Sequence, residues 1–228
     1  MPARATRRAL VRLALLAASV ALAVGACAGP LASPTPVPAA SDSTTEARTV
    51  GAFSTLSVDG PLNLVLAVGS VPSVTVEAPS NLLPLVKTDV AGDELDVTVA
   101  PPGFTTTKPV TVRITSSQVG SVSLSGGAAG TMEVMQMAMT VSVSGGATLK
   151  GIGSVAQLTV TALGNSTAEL GDLAADTAMI TAAAGAKATI RAVRQLTGTI
   201  DSGAVVTLAV APAAKSVAVT GGAQLVLP

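Results

Sequence analysis

Val141-Ser142-Val143-Ser144-Gly145-Gly146-Ala147-Thr148-Leu149-Lys150 is the stretch that decides the fold. Two short runs alternate aliphatic residues with hydroxyl or charged ones, so each is a strand with one apolar and one polar face. The glycines between them let the backbone turn sharply at positive φ, where a Cβ would clash. The arrangement recurs. Val122-Ser123-Leu124-Ser125 precedes Gly127, Leu158-Thr159-Val160-Thr161 precedes Gly164, and Ala178 to Thr181 precedes Gly185. Leu196 to Asp201 precedes Gly203, and Val217-Ala218-Val219-Thr220 precedes Gly222. A second alternating run follows each corner, as in Ala168-Glu169-Leu170, Ala188-Thr189-Ile190-Arg191, Val206-Thr207-Leu208 and Ala223-Gln224-Leu225-Val226-Leu227. From Gly127 to Gly222 the glycine steps are 19, 18, 21, 18 and 19 residues. That is the length of one turn of a β-solenoid, whose coils bury their apolar side chains on one another. A β-sandwich would use similar strands but not one motif at a near-constant step.

Composition agrees with a narrow, layered interior. The chain holds 2 Phe, no Trp and no Tyr, while Ala and Val are abundant, and small side chains stack where a ring would not fit every layer. The predicted class is therefore all-β: a solenoid over residues 51–228 with a more irregular N-terminal β region. Strands are expected at Leu56 to Asp59, Leu62 to Leu66, Val74 to Glu77, Leu95 to Val99 and Val110 to Ile114, with a short helical or irregular turn at Ser80 to Val86. Residues 53–115 are expected to cap one end. Leu225-Val226-Leu227-Pro228 offers no evident cap at the other, and because open sheet edges pair with further strands, a homodimer through the C-terminal coil is expected.

Residues 1–26 read as a lipoprotein signal peptide. Arg4, Arg7, Arg8 and Arg12 form a basic n-region, and Leu13 to Ala23 is apolar apart from Ser19. Thr6-Arg7-Arg8-Ala9-Leu10 loosely resembles a twin-arginine signal, but ordinary secretion is the expectation. Val24-Gly25-Ala26-Cys27 resembles the lipobox of bacterial lipoproteins, which makes Cys27, the single cysteine, the site of lipidation. The expected location is extracytoplasmic, lipid-anchored to the bacterial cell membrane. Residues 27–50, rich in Pro, Ser, Thr and Ala, read as an extended tether.

The order of Phe53-x-x-Leu56-x-Val58-x-Gly60, Val74-x-Val76-x-Ala78, Leu82-Leu83, Val86-Lys87-Thr88, Asp93-x-Leu95-x-Val97 and the Ser-Gly-Gly corners at 125–127 and 144–146 resembles the family called putative auto-transporter adhesin, head GIN domain. Members often carry a serine-glycine corner throughout and a tyrosine-glycine-proline segment before the last coil. Here Gly164 and Gly185 stand alone, and Val210-Ala211-Pro212 keeps only the proline. The resemblance implies a right-handed parallel β-helix and an adhesin-like envelope protein.

Composition also limits chemistry. There is no histidine, so a serine triad lacks its base, and a zinc site lacks nitrogen and sulfur ligands. The local acidic clusters, Asp93-Glu94-Asp96 and Glu169-Asp172-Asp176, are expected to be solvated turn carboxylates rather than a metal or glycosidase site. No catalytic residue, metal or cofactor is predicted. Without the signal, nine basic residues face thirteen acidic ones; with no basic stripe and no stacking platform, nucleic acid is not an expected partner. The candidate binding face is a hydroxyl ladder formed by Ser123, Ser125, Ser142, Ser144, Thr159, Thr161, Thr197 and Thr199. Its expected partner is an unidentified envelope protein or polysaccharide.

Overall fold

The computed structural model describes residues 35–228; the expected signal peptide and Cys27 lie outside the described residues. No α-helix occurs among the latter. The strands, in chain order, are β1 (Val37–Pro38), β2 (Thr44–Arg48), β3 (Thr55–Asp59), β4 (Asn63–Ala67), β5 (Ser73–Ala78), β6 (Val86–Ala91), β7 (Glu94–Val99), β8 (Phe104–Thr105) and β9 (Thr111–Thr115). There follow β10 (Ser121–Ser125), β11 (Ala129–Val143), β12 (Thr148–Leu163), β13 (Thr167–Ala183), β14 (Lys187–Ile200), β15 (Val205–Leu208), β16 (Ala214–Val219) and β17 (Gln224–Val226). A 3-10 turn at Leu83–Leu85 stands where the irregular segment was expected. From β10 onward every pairing is parallel and joins each strand to the next coil. This is a β-solenoid.

The six corners carry the fold. Each has two successive residues at positive φ: Gly126-Gly127, Gly145-Gly146, Gly164-Asn165, Ala184-Gly185, Ser202-Gly203 and Gly221-Gly222. Five close with an N–H to C=O bond across the turn, as from Ala128 N to Ser125 O (3.1 Å) and Ala147 N to Ser144 O (3.0 Å). These are the features of a type I′ turn. The uneven glycine steps now have a cause. Gly164 occupies the first corner position, whereas the other five glycines counted in the sequence occupy the second. Measured between second positions, with Asn165 in place, the steps are 19, 19, 20, 18 and 19. Asn enters the left-handed region at little cost, which lets the motif continue without a second glycine. Adjacent corners are also bonded to each other: the N–H of Gly127 donates to Gly145 O (3.1 Å), Gly146 to Gly164 O, Asn165 to Ala184 O, Gly185 to Ser202 O and Gly203 to Gly221 O.

Each coil contributes two strands. Those entering a corner stack as one ladder, running β6, β7, β3, β10 and then the later halves of β11 to β14 before β16. Those leaving it stack as a second ladder through β2, β5, β9, β4, the earlier halves of β11 to β14, β15 and β17. The interior between them is aliphatic: Val122, Val141, Val160 and Leu124, Val143, Ala162 lie one above another and are fully buried. Just past each corner a column of Ala128, Ala147, Ser166, Ala186 and Ala204 is buried too. Ser166, the polar member, donates its hydroxyl to Val143 O at 2.8 Å and so leaves no orphan group.

At the N-terminal end the chain order breaks. β3 and β4 lie between the β7–β9 coil and the β10–β11 coil, so the first coil in sequence is the second in space. Antiparallel β6, β5 and β2 then close this end, with the buried Phe53 and Leu82 packed into the core. The expected tether is corrected here. Residues 37–48 are docked: β2 pairs with β5, β1 with β8, and Asn81 bonds both Pro38 O and Ala40 N. Arg48 Nη2 donates to Leu83 O at 2.9 Å. Backbone pairing and these side-chain bonds hold the arm, with Val37 and Ala39 packed against the core. Pro34–Pro228 form one compact unit containing the whole described core, so the unit has what it needs to fold alone.

The corner geometry sets two stability predictions. Ala184→Gly should raise thermal stability, by about 0.5–1 kcal/mol, because alanine is strained at φ 55°. Gly198→Ala should lower it by roughly 3 kcal/mol or more, since a Cβ there would stand 1.8 Å from Ile180 O and push β13 and β14 apart. Denaturant melts of both variants of residues 34–228 check the pair.

Candidate functional site

All eight hydroxyl residues expected to form the binding ladder lie on the outer face of the entering-strand ladder, but in three rows. Ser123, Ser142, Thr161 and Thr199 share one row with Ser57 and Thr181. Thr159 and Thr197 share a second with Thr55, Ser121, Thr140 and Ser216, which Met179 interrupts. Ser125 and Ser144 fall in a third row at the corner, together with Asp59. The added members are legible in the sequence as the same alternation, but pairing them needs the true register, which the offset Gly164 hides.

The rows end on carboxylates. Glu94 lies opposite Thr55 and Asp96 opposite Ser57, while Asp89 lies opposite Asp96 on β6. The sequence cluster Asp93-Glu94-Asp96 thus extends the hydroxyl rows at the capped end; Asp93 Oδ2 accepts from Ser54 Oγ at 3.0 Å. From β7 to β14 the outward positions of this face carry no basic residue. The other acidic cluster does not gather. Glu169 faces out on the leaving-strand ladder in line with Lys150 and Thr189, and Asp176 lies at the second bend, 3.8 Å from Arg194. Among the described residues no group of three or more His, Cys, Asp or Glu side chains converges to hold a metal.

Corner carboxylates repeat one motif. Asp59 Oδ1 accepts from Ser125 Oγ on the next coil at 2.6 Å. Asp201 Oδ1 accepts from Ser202 N at 2.7 Å. The Ser202 N–H, followed by the Thr220 hydroxyl, holds the Asp201 carboxyl below the usual carboxylate range.

Sequence reasoning missed the second bend. There Met135 and Met137 are 77% and 79% exposed beside Ser154, Ala156 and Asp176. Four methionines fall between 132 and 139; Met132 and Met139 point inward and are buried, the other two stand in solvent. The leaving-strand ladder holds a shallow groove of about 420 Å³ with Asn63, Val65, Thr131, Arg113 and Lys150 on its walls.

A parallel solenoid with a docked N-terminal arm thus presents its hydroxyl rows on one extended outer face. Residues 52–212 match the family model described as putative auto-transporter adhesin, head GIN domain. The chain belongs to this family. Its fold is similar to that of a putative adhesin from Bacteroides fragilis NCTC 9343, with TM-score 0.69 at 14% identity over 84% of this chain and 100% of that one. It is also similar to a putative lipid binding protein from Parabacteroides distasonis ATCC 8503, with TM-score 0.55 and 12% identity over 85% and 100% of the two chains. A putative adhesin from Parabacteroides merdae ATCC 43184 gives TM-score 0.54 and 15% identity over 84% and 98%. No curated protein matches the sequence.

Because the folded-state pKa of Asp201 is lowered, its contribution to stability is full above its unfolded value of about 3.9 and is lost as pH falls through the folded value. Asp201→Asn should therefore destabilise the chain at neutral pH and make little difference once the pH has fallen below the lowered folded-state value. Melting temperature against pH for the two proteins checks the sign.

Proposed function

We propose that the protein is an adhesin-like envelope module, lipid-anchored through Cys27 on the extracytoplasmic side of the bacterial membrane, that binds a neutral polysaccharide without catalysis. The observation that carries this reading is the set of in-register Ser and Thr rows running from β3 to β14 and ending on Glu94 and Asp96. A repeating array of hydroxyls and carboxylates matches the hydroxyls of a sugar polymer at many weak points, and avidity builds from their number. The lack of basic residues on the outward positions from β7 to β14 opposes a polyanion, whether nucleic acid or a phosphate-bearing glycan. Family membership and the adhesin relatives support a surface role. The residue types at the face supply no general base of histidine type and no thiol.

Two measurements check the proposal. Immobilised residues 34–228, challenged with solubilised envelope, should retain a neutral glycan; Ser142→Arg with Thr161→Arg should abolish retention, while Thr189→Arg on the other ladder should not. Recovery of nothing would leave a structural spacer, and recovery of protein alone would replace the glycan. For the anchor, Cys27→Ala should abolish labelling by a fatty-acid probe and move the protein from the membrane to the soluble fraction.

A further inference from the structure

The second bend carries a cluster that neither the core nor the hydroxyl rows use. Met135 and Met137 are the two most exposed large apolar side chains among the described residues, while Met132 and Met139 on the same strand are buried in the core. Position explains the difference. β11 leaves the corner with Met132 and Val134 inward, and at the bend Gln136 turns back into the protein, its Nε2 donating to Val119 O at 2.5 Å. Met135 and Met137, on either side of it, are set outward together. Alternate residues on one extended strand lie about 7 Å apart, a gap that two unbranched side chains with three rotatable bonds each close without strain. Both line one groove of about 420 Å³. Its floor is small: Ser154 pairs with Met135, and Ala156 lies in line with Met137. Asp176 stands one coil further on, between Ala175 and Thr177, which pair with Val155 and Gln157. Arg194 Nη2 is 3.8 Å from Asp176 Oδ2 and both side chains are more than half exposed, so the pair is loose and leaves the carboxylate free to turn to the groove.

We propose that Met135 and Met137 form a binding site for a soft monovalent cation, copper(I) or silver(I), with their two Sγ atoms as ligands and Asp176 as the compensating charge. Thioethers are neutral, polarisable donors that select such ions, whereas calcium, magnesium and manganese go to oxygen ligands. Zinc and copper(II) sites draw on imidazole or thiolate, and the groove is lined by neither histidine nor cysteine. Two neutral sulfurs leave the charge of the ion unbalanced. The Asp176 carboxylate balances it, and no basic side chain lines the groove to oppose it. The residue types also fit a site that fills and empties: both sulfurs are reached directly from solvent, and the ligand pair is held on one strand whose neighbouring residues, Val134 and Met139, are anchored in the core. The site does not depend on the reading of the hydroxyl rows, which lie on a different face.

The test is an NMR titration of residues 34–228, isotope-labelled at the methionine methyls, with silver nitrate and, under anaerobic reducing conditions, with copper(I). Each methyl reports on its own sulfur. The Met135 and Met137 resonances should shift together and saturate at one ion per chain, while those of Met132 and Met139 stay in place. Met179 is the internal control, because it is exposed but stands alone between Thr159 and Thr197 on the entering-strand face; it should respond only at large excess. Met135→Leu and Met137→Leu should each weaken binding by roughly tenfold or more, and Asp176→Asn by about tenfold, the usual effect of losing a partner outside the ligand set. Neither methionine side chain is packed, so leucine removes the sulfur and leaves the fold intact, which a thermal melt confirms. The absence of any shift with both ions would overturn the proposal. So would Met135 and Met137 responding no sooner than Met179, or binding undiminished in either leucine variant. Equal affinity in Asp176→Asn would overturn the part assigned to the carboxylate.

Discussion

A single hydrogen bond, repeated, organises the solenoid: the N–H of the second corner residue of one coil donates to the carbonyl of the first corner residue of the next. It forms only if both residues hold positive φ, because that conformation turns one amide and one carbonyl along the axis of stacking. Once neighbouring corners are bonded, the strands on either side are in register, and the aliphatic columns follow. Side chains at the first corner position are limited by the preceding turn; a Cβ on Gly126 would stand 2.7 Å from Gly60 N, and one on Gly221 2.6 Å from Ser202 N. The second position is open at Gly127, Gly146, Gly203 and Gly222, so glycine persists there for its dihedral angle alone.

The solenoid was legible because strand alternation and corner glycines are local signals. Val122, Leu124, Val141, Val143, Leu158 and Val160 were identifiable as interior residues from parity alone, and all are buried. Register was less legible, since Asn165, Ala184 and Ser202 fill left-handed positions that a reader assigns to glycine. The docked arm was illegible for a different reason. Thr44 to Arg48 has no apolar face to bury; its place is set by main-chain pairing to β5, which leaves no mark on composition. The outer face was recognised as hydroxyl-bearing, but its continuation into Thr55, Ser57, Glu94 and Asp96 depends on long-range pairing that no local pattern reveals.

The two outer surfaces differ in electrostatic character. On the entering-strand side, hydroxyl rows grade into carboxylates toward the capped end. On the leaving-strand side, Arg113, Lys150 and Lys187 alternate with Glu77 and Glu169, and Arg113 pairs with Glu77 at 3.5 Å. Mixed charge of this kind screens itself and keeps a surface soluble. The entering-strand surface from β7 to β14, by contrast, carries hydroxyls and carboxylates without a basic residue, so its charge there is of one sign.

The order of coils at the capped end bears on how the chain acquires its structure. Downstream of β10, each coil needs only the one before it, and short-range stacking of this kind propagates quickly. β3 cannot take its place that way. It is held between β7 and β10, so the chain must travel outward through β5 to β9, return, and close a long loop before the first coil is buried on both sides. Residues 37 to 125 therefore form one cooperative block that ignites late and, once assembled, serves as the template from which the remaining coils zip up. Unzipping runs the other way, coil by coil from the aliphatic end, while the block persists to the last.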